Sequence, residues 1–118
     1  MDIRTRNNKV YVNGKHIGEY VFNSKERMLT LTLNFNIIEE KTLRELSVDN
    51  EYIKNTSKIT DLIVNQLKNK LKKKIKVNDI MIPNDGEVLI IWNNIDKSDK
   101  ISYNISNFIK FLMKYLKK

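Results

Sequence analysis

The sequence predicts an α+β fold, in which an antiparallel sheet of about five strands carries two long amphipathic helices on one face. Three observations support this prediction. An Asn-Gly dipeptide divides an apolar segment near the N-terminus, residues 28–37 alternate between apolar and polar side chains, and residues 105–118 repeat apolar residues at helical spacing. The predicted order along the chain is β-β-β-α-β-β-α, within a single domain over residues 1–118.

Residues 10–22, VYVNGKHIGEYVF, predict a β-hairpin. Its turn is Asn13-Gly14, a strong hairpin signal because both turn positions need φ > 0. This turn pairs Val10 with Ile17. One predicted face then carries Val10, Val12, Ile17 and Val21, and the other carries Tyr11, His16, Tyr20 and Phe22. The second set could form a base-stacking platform, although aromatic residues on a sheet are more often part of the core.

Residues 28–37 predict a half-buried strand that follows a turn at 23–27. Its apolar face comprises Leu29, Leu31, Leu33, Phe35 and Ile37, and its wet face comprises Thr30, Thr32, Asn34 and Asn36. Residues 39–46, EEKTLREL, fit a short helix, and residues 50–55 fit a connector.

Residues 56–71 predict the first long helix, with Thr56 or Ser57 as its N-cap. Its apolar stripe comprises Ile59, Leu62, Ile63, Leu67 and Leu71. On a regular helical wheel Lys70 and Lys74 would fall inside this stripe, so the helix is predicted to end near residue 73.

Residues 77–94 predict a second hairpin around the turn 83–86, PNDG, and a polar loop follows at Asn93, Asn94 and residues 96–100. Residues 105–118 predict the second long helix. Its apolar face comprises Ile105, Phe108, Ile109, Leu112, Met113 and Leu116, and Lys114, Lys117 and Lys118 suit its C-terminal dipole. A winged helix over residues 38–118, with 77–92 as the wing, is the alternative architecture.

Composition excludes several classes of protein. The chain has 118 residues, of which 41% are hydrophobic, and no cysteine, which excludes a disulfide framework, a cysteine zinc site and a cysteine nucleophile. The polar N-terminus and the short apolar runs predict a cytoplasmic protein without a signal peptide or a membrane span. There are 18 Lys, 16 Asn, 16 Ile and no Ala, which indicates an AT-rich genome and suits an accessory protein of a phage, plasmid or virus.

The sequence offers little for catalysis. His16 is the sole histidine, and neither Glu19 nor Glu26 stands in a triad spacing with it. The three glycines, Gly14, Gly18 and Gly86, do not cluster as a phosphate-binding loop requires. No metal or cofactor site is predicted, and we expect a protein that is not an enzyme. A ribonuclease-like toxin remains an alternative.

The charge distribution points to a partner. The net charge is +8, and residues 56–76 hold seven basic side chains against one acidic, a net +6. A basic segment of this kind favours the phosphates of nucleic acid. The predicted contacts are Lys68, Lys70, Lys72, Lys73, Lys74 and Lys76, with Arg4, Arg6 and Lys9 as a second patch. The alternatives are an acidic protein partner or an anionic membrane surface, or an adaptor or inhibitor that acts through an exposed sheet edge. The nucleic-acid-binding protein is expected to be a homodimer.

Overall fold

A computed structural model describes residues 1–96 and 98–117, which form one six-stranded sheet with helices packed on it. The strands are β1 (Ile3–Arg6), β2 (Lys9–Val12), β3 (Lys15–Asn23), β4 (Met28–Asn34), β5 (Asp79–Met81) and β6 (Glu87–Trp92). Their spatial order is β1-β2-β3-β4-β6-β5, and every neighbouring pair is antiparallel. The predicted α+β class is confirmed, with one strand more than expected.

The helices cover the face of the sheet that carries the buried strand residues. They are α1 (Glu40–Glu45), α2 (Asn50–Lys54), α3 (Ser57–Leu62), a π-helical turn (Ile63–Leu67), α4 (Lys68–Lys74) and α5 (Asp99–Leu116). Because α3, the π turn and α4 follow one another without a gap, they act as one long helix. Within the described residues, no helix combines the length and the apolar character that crossing a membrane requires.

The strand missing from the prediction is β1. It pairs with β2 from Ile3 opposite Val12 to Arg6 opposite Lys9. The turn between them is Asn7-Asn8, with φ of 51° and 64°. Asparagine tolerates this left-handed region better than most residues do. Sequence analysis did not predict this strand, because it lies at the sheet edge and every second residue in it is an arginine.

The β2–β3 hairpin confirms the Asn13-Gly14 turn but not the predicted faces. A bulge after the Tyr11–His16 pair sets Val10 opposite Gly18, where Ile17 was predicted. Beyond the bulge the alternation is reversed, because one extra residue exchanges the two faces of a strand. Tyr20 and Phe22 therefore pack against the core, whereas Val21 is 63% exposed. The four-residue stacking platform is wrong, although the rings of Tyr11 and His16 remain neighbours at 5.7 Å.

The central strand is β4, as its alternation predicted. Leu29, Leu31 and Leu33 are buried, and β4 pairs on one side with β3 and on the other with β6. The strand ends at Asn34, so Ile37 is 76% exposed, which corrects its predicted place on the apolar face. The winged-helix alternative is wrong, since the proposed wing inserts β6 beside β4 in the middle of the sheet.

The second long helix begins earlier than predicted. α5 starts at Asp99, inside the predicted polar loop, and all six residues of its predicted apolar face are buried. The ring of Phe108 meets that of Trp92 edge-on, with centroids 6.2 Å apart. Lys97 of the predicted loop and Lys118 of the predicted helix end lie outside the described residues.

The first long helix begins at Ser57 with Thr56 at the N-cap position, as predicted, but Thr56 makes no capping hydrogen bond and the middle of the helix is irregular. Thr56 is already helical, and its hydroxyl donates to Asn36 Oδ1 at 2.5 Å instead of capping the helix, while the Ser57 hydroxyl donates to Asn55 Oδ1 at 2.6 Å. In a regular helix the twelve-residue step from Ile59 to Leu71 would leave these two side chains about 120° apart around the helix axis. The π turn inserts one extra residue, which restores the alignment, and both side chains are fully buried.

Candidate nucleic-acid interface

The predicted lysine run is divided between two flanks of the long helix. On one flank Lys68 Nζ lies 3.0 Å from Asp79 Oδ1, and Lys72 Nζ lies 4.0 Å from the same atom. On the other flank Lys70 Nζ stands 5.4 Å from the centre of the Tyr115 ring. The six predicted lysines therefore do not form one continuous binding face.

Asp79 is the acidic partner that holds the first flank. Its carboxylate accepts a hydrogen bond from Lys68 and another from the Ile80 backbone N–H at 2.9 Å. These bonds, the Lys68 bond first, lower the pKa of Asp79 below its ordinary value, although partial burial opposes them. Only 30% of the Lys68 side chain is exposed. Among the predicted contacts, Lys68 is thus already engaged within the protein.

Lys72 and Lys76 meet Lys100 of α5 at a groove, which we call the lysine groove. It lies between the C-terminal end of α4 and the first turns of α5, and it has a volume of about 620 Å³. This volume falls in the range of about 300–1,000 Å³ that is usual for ligand sites. The polar residues that line it include Lys72, Lys76, Lys100, Asn93, Asn94 and Asn104.

The electrostatics of the lysine groove favour an anion. Three lysine side chains line it, together with one acid, Asp96. That acid is engaged, because Arg27 Nη1 donates to Asp96 Oδ1 at 2.8 Å. The groove also lies at the N-terminal end of α5, where the helix dipole favours negative charge.

Two residues of the lysine groove hold an uncommon backbone conformation. Lys76 has a φ of 55° and Asn94 a φ of 60°. For a residue such as lysine the left-handed region costs about 1–2 kcal/mol. Five non-glycine residues outside the groove, Asn7, Asn8, Asn13, Arg27 and Ser47, also have positive φ within the described part of the chain, so this conformation does not distinguish the groove from other turns.

The floor of the groove includes Trp92, the single tryptophan of the sequence. Its side chain is almost fully buried, and its indole Nε1 has no hydrogen-bond partner among residues 1–96 and 98–117. A buried donor without an acceptor costs about 1–3 kcal/mol.

The predicted second patch belongs to another groove, which we call the arginine groove. It has a volume of about 740 Å³ and is lined by Arg4, Arg6, Tyr11 and Ser102 among others. Arg6 Cζ lies 6.0 Å from the centre of the Tyr11 ring, and Arg4 pairs with Asp2 at 3.1 Å. Lys9 stands opposite Arg6 in the next strand.

The two predicted patches lie at opposite edges of the sheet, since β1 is one edge strand and β5 is the other. The start of α5 nevertheless brings their grooves together. Ser102 lines the arginine groove, while Lys100 and Tyr103 line the lysine groove. The Thr5 and Ser102 hydroxyls are hydrogen-bonded, which joins β1 to this turn of α5.

Sequence analysis missed Lys100, Tyr103 and the groove asparagines. Lys100 and Tyr103 follow the lysine run by about two dozen positions, and only the fold brings the two segments together. One signal was present, since Tyr103 falls outside the apolar stripe of α5. This signal can be recognised only when the helix is extended back to Asp99.

The candidate catalytic residues lie elsewhere. His16 and Glu19 line a shallow hollow of about 220 Å³ together with Glu87. His16 Nε2 lies 3.0 Å from the Gly18 carbonyl oxygen. Within the described residues, no group of three or more histidine, aspartate or glutamate side chains is arranged to hold a metal ion.

Comparison with protein-family models, with curated proteins and with solved structures finds no match to this chain. The functional argument therefore depends on the geometry and the charge of the chain itself.

Proposed function

We propose that this protein binds nucleic acid without catalysis and contacts phosphates through the lysine groove. The observation that carries the proposal is that amines from two distant segments converge on one groove. Lys72 and Lys76 come from the end of α4, and Lys100 comes from the start of α5. The exposed Lys73 and Lys74 extend this positive surface onto the last turn of α4.

The proposal modifies the set of contacts that the sequence predicts. Lys68 and Lys70 contribute less, because neither lines the groove: Lys68 Nζ lies 3.0 Å from Asp79 Oδ1, and Lys70 stands over the Tyr115 ring on the other flank. Lys72 lies farther from the same Asp79 oxygen, at 4.0 Å, and lines the groove. Each phosphate that a lysine neutralises releases counterions, so binding weakens as salt rises. Three lysine contacts to a single strand correspond to a salt slope of about −2, a loss of roughly 20-fold in affinity between 50 and 200 mM salt.

The test is a titration of a labelled oligonucleotide at several salt concentrations. We expect the triple variant Lys72→Glu, Lys76→Glu and Lys100→Glu to lose most of the affinity and most of the salt slope. The matched control reverses three exposed lysines outside the groove, on α1, α2 and α5: Lys41, Lys54 and Lys110. If both triple variants lose the same affinity, the net charge accounts for the binding and the groove does not.

A second candidate function is that of a protein-interaction adaptor, and the open face of the sheet favours it. Val21, Met81 and Ile82 are exposed there or at its edge, next to the predicted wet face around Thr30 and Thr32. Apolar side chains grouped on an exposed face suit contact with another protein. A complex recovered from native lysate that survives nuclease treatment and is lost in Val21→Lys would support this candidate over the first.

A catalytic role and self-association have separate tests. A ribonuclease-like toxin would use His16, so the His16→Ala variant should then be less harmful on expression than the wild type. We propose instead that the two behave alike. The expected homodimer is tested by light scattering on the purified chain, where the mass of a monomer is 14.0 kDa.

A further inference from the structure

We propose that the nucleic acid is single-stranded and that it crosses the first turns of α5, from the lysine groove to the arginine groove. This inference rests on the proposed function and specifies its ligand and its path. The observation behind it is that neighbouring residues of one helical turn line different grooves, Ser102 the arginine groove and Tyr103 the lysine groove.

The distances suit one strand. A helix with its side chains is about 10–12 Å across, so grooves on its two sides lie within reach of a few nucleotides. Nucleic-acid domains of similar size commonly occupy about 4–16 nucleotides of single strand. The bond between the Thr5 and Ser102 hydroxyls joins β1 to α5 at the crossing point.

Each groove pairs an aromatic ring with a cation. In the lysine groove Tyr103 is 59% exposed, and Lys100 Nζ lies 5.1 Å from its ring centre. In the arginine groove the guanidinium of Arg6 lies near the half-buried Tyr11 ring. Stacking of a base on an exposed ring beside a cation that meets the phosphate is the usual way to hold a single strand without sequence preference.

Other features favour unpaired bases over a duplex. The amides of Asn78, Asn93, Asn94 and Asn104 line the lysine groove, where they can bond base edges that a duplex would occupy by pairing. A row of amines along one convex helix face would be better suited to a duplex, but the lysine run is split between two flanks of the helix.

The experiment uses the full chain and the fluorescence of Trp92, which reports on the lysine groove because it is the single tryptophan. A thymidine oligonucleotide of about twelve nucleotides, inside the usual site size, is titrated beside the same strand in a duplex. We expect the single strand to bind more tightly and to change the fluorescence. Tyr103→Ala and Tyr11→Ala should each weaken it roughly 5- to 150-fold, the range for loss of one stacked base.

The conservative control is Tyr103→Phe, which keeps the ring and should keep the affinity. If the hydroxyl had a merely structural role, Tyr103→Phe would lose as much affinity as Tyr103→Ala. Equal binding of duplex and single strand would overturn this inference and leave the proposed function standing. Loss in Tyr103→Ala without loss in Tyr11→Ala would overturn the path across α5. Failure of both ligands to bind at low salt would overturn the inference and the proposed function together.

Discussion

Asp79→Asn is expected to strengthen nucleic-acid binding, although it removes an ion pair from the folded protein. Asparagine keeps an oxygen that accepts from the Ile80 N–H, but it loses the charge that holds Lys68 at 3.0 Å. The freed amine can then meet a phosphate. One added contact to a single strand steepens the salt slope by about 0.7, which increases the loss of affinity between 50 and 200 mM salt about 2.6-fold.

The measurement is a series of oligonucleotide titrations across this salt range. Asp61→Asn is the matched control, because it changes the net charge by the same amount at an exposed position of α3, before the lysine run. We expect higher affinity at low salt and a steeper slope for Asp79→Asn than for Asp61→Asn. If the two variants give the same affinity and the same slope, Asp79 does not prevent Lys68 from contacting a phosphate.

Three further predictions concern stability, each measured by urea unfolding followed through tryptophan fluorescence. Gly86→Ala should lower the free energy of unfolding by about 2–3 kcal/mol and Gly14→Ala by about 1–2 kcal/mol. Both glycines have positive φ, but only at Gly86 would the new Cβ meet another side chain, that of Asn36. Equal losses of stability in the two variants would refute this. The pKa of Asp79 is lowered in the folded state. The ionised Asp79 carboxylate therefore stabilises the fold above pH 3.8, its ordinary pKa, and this stabilisation is lost as the pH falls through the lower pKa of the folded state. Wild type and Asp79→Asn should therefore differ in stability at neutral pH and converge in acid, and a constant difference would contradict the assignment. Phe108→Ala should cost about 3–5 kcal/mol, because its ring is fully buried, and a loss below 1 kcal/mol would contradict that packing.

The elements that sequence analysis predicted well are those whose local pattern and tertiary environment agree. The alternation from Leu29 to Leu33 survives because β4 has a covered face and an open one. The stripe from Ile105 to Leu116 survives because α5 packs on the sheet along its whole apolar face. In both cases one periodicity describes the segment from end to end.

The errors occur where a single residue changes the periodicity. The bulge near Ile17 exchanges the faces of β3, and the conformational propensities of the residues around it do not predict that change. Only part of the candidate site could be predicted from the sequence, for a related reason. Lys72 and Lys76 were identified by charge, whereas Lys100 and Tyr103 join them only through the packing of α5 on the sheet.

The π turn at Ile63–Leu67 also decides which lysines face the protein. If the same residues formed a regular α-helix, Lys68–Lys74 would rotate by about 100° against the sheet. Lys70 would then point into the core, and Lys72 would leave the lysine groove. Deleting one residue from the turn would instead preserve the present orientation, because a π turn is an α-helix that accommodates one extra residue. The direction in which the positive charge faces is thus encoded by the geometry of a five-residue segment that contains no lysine.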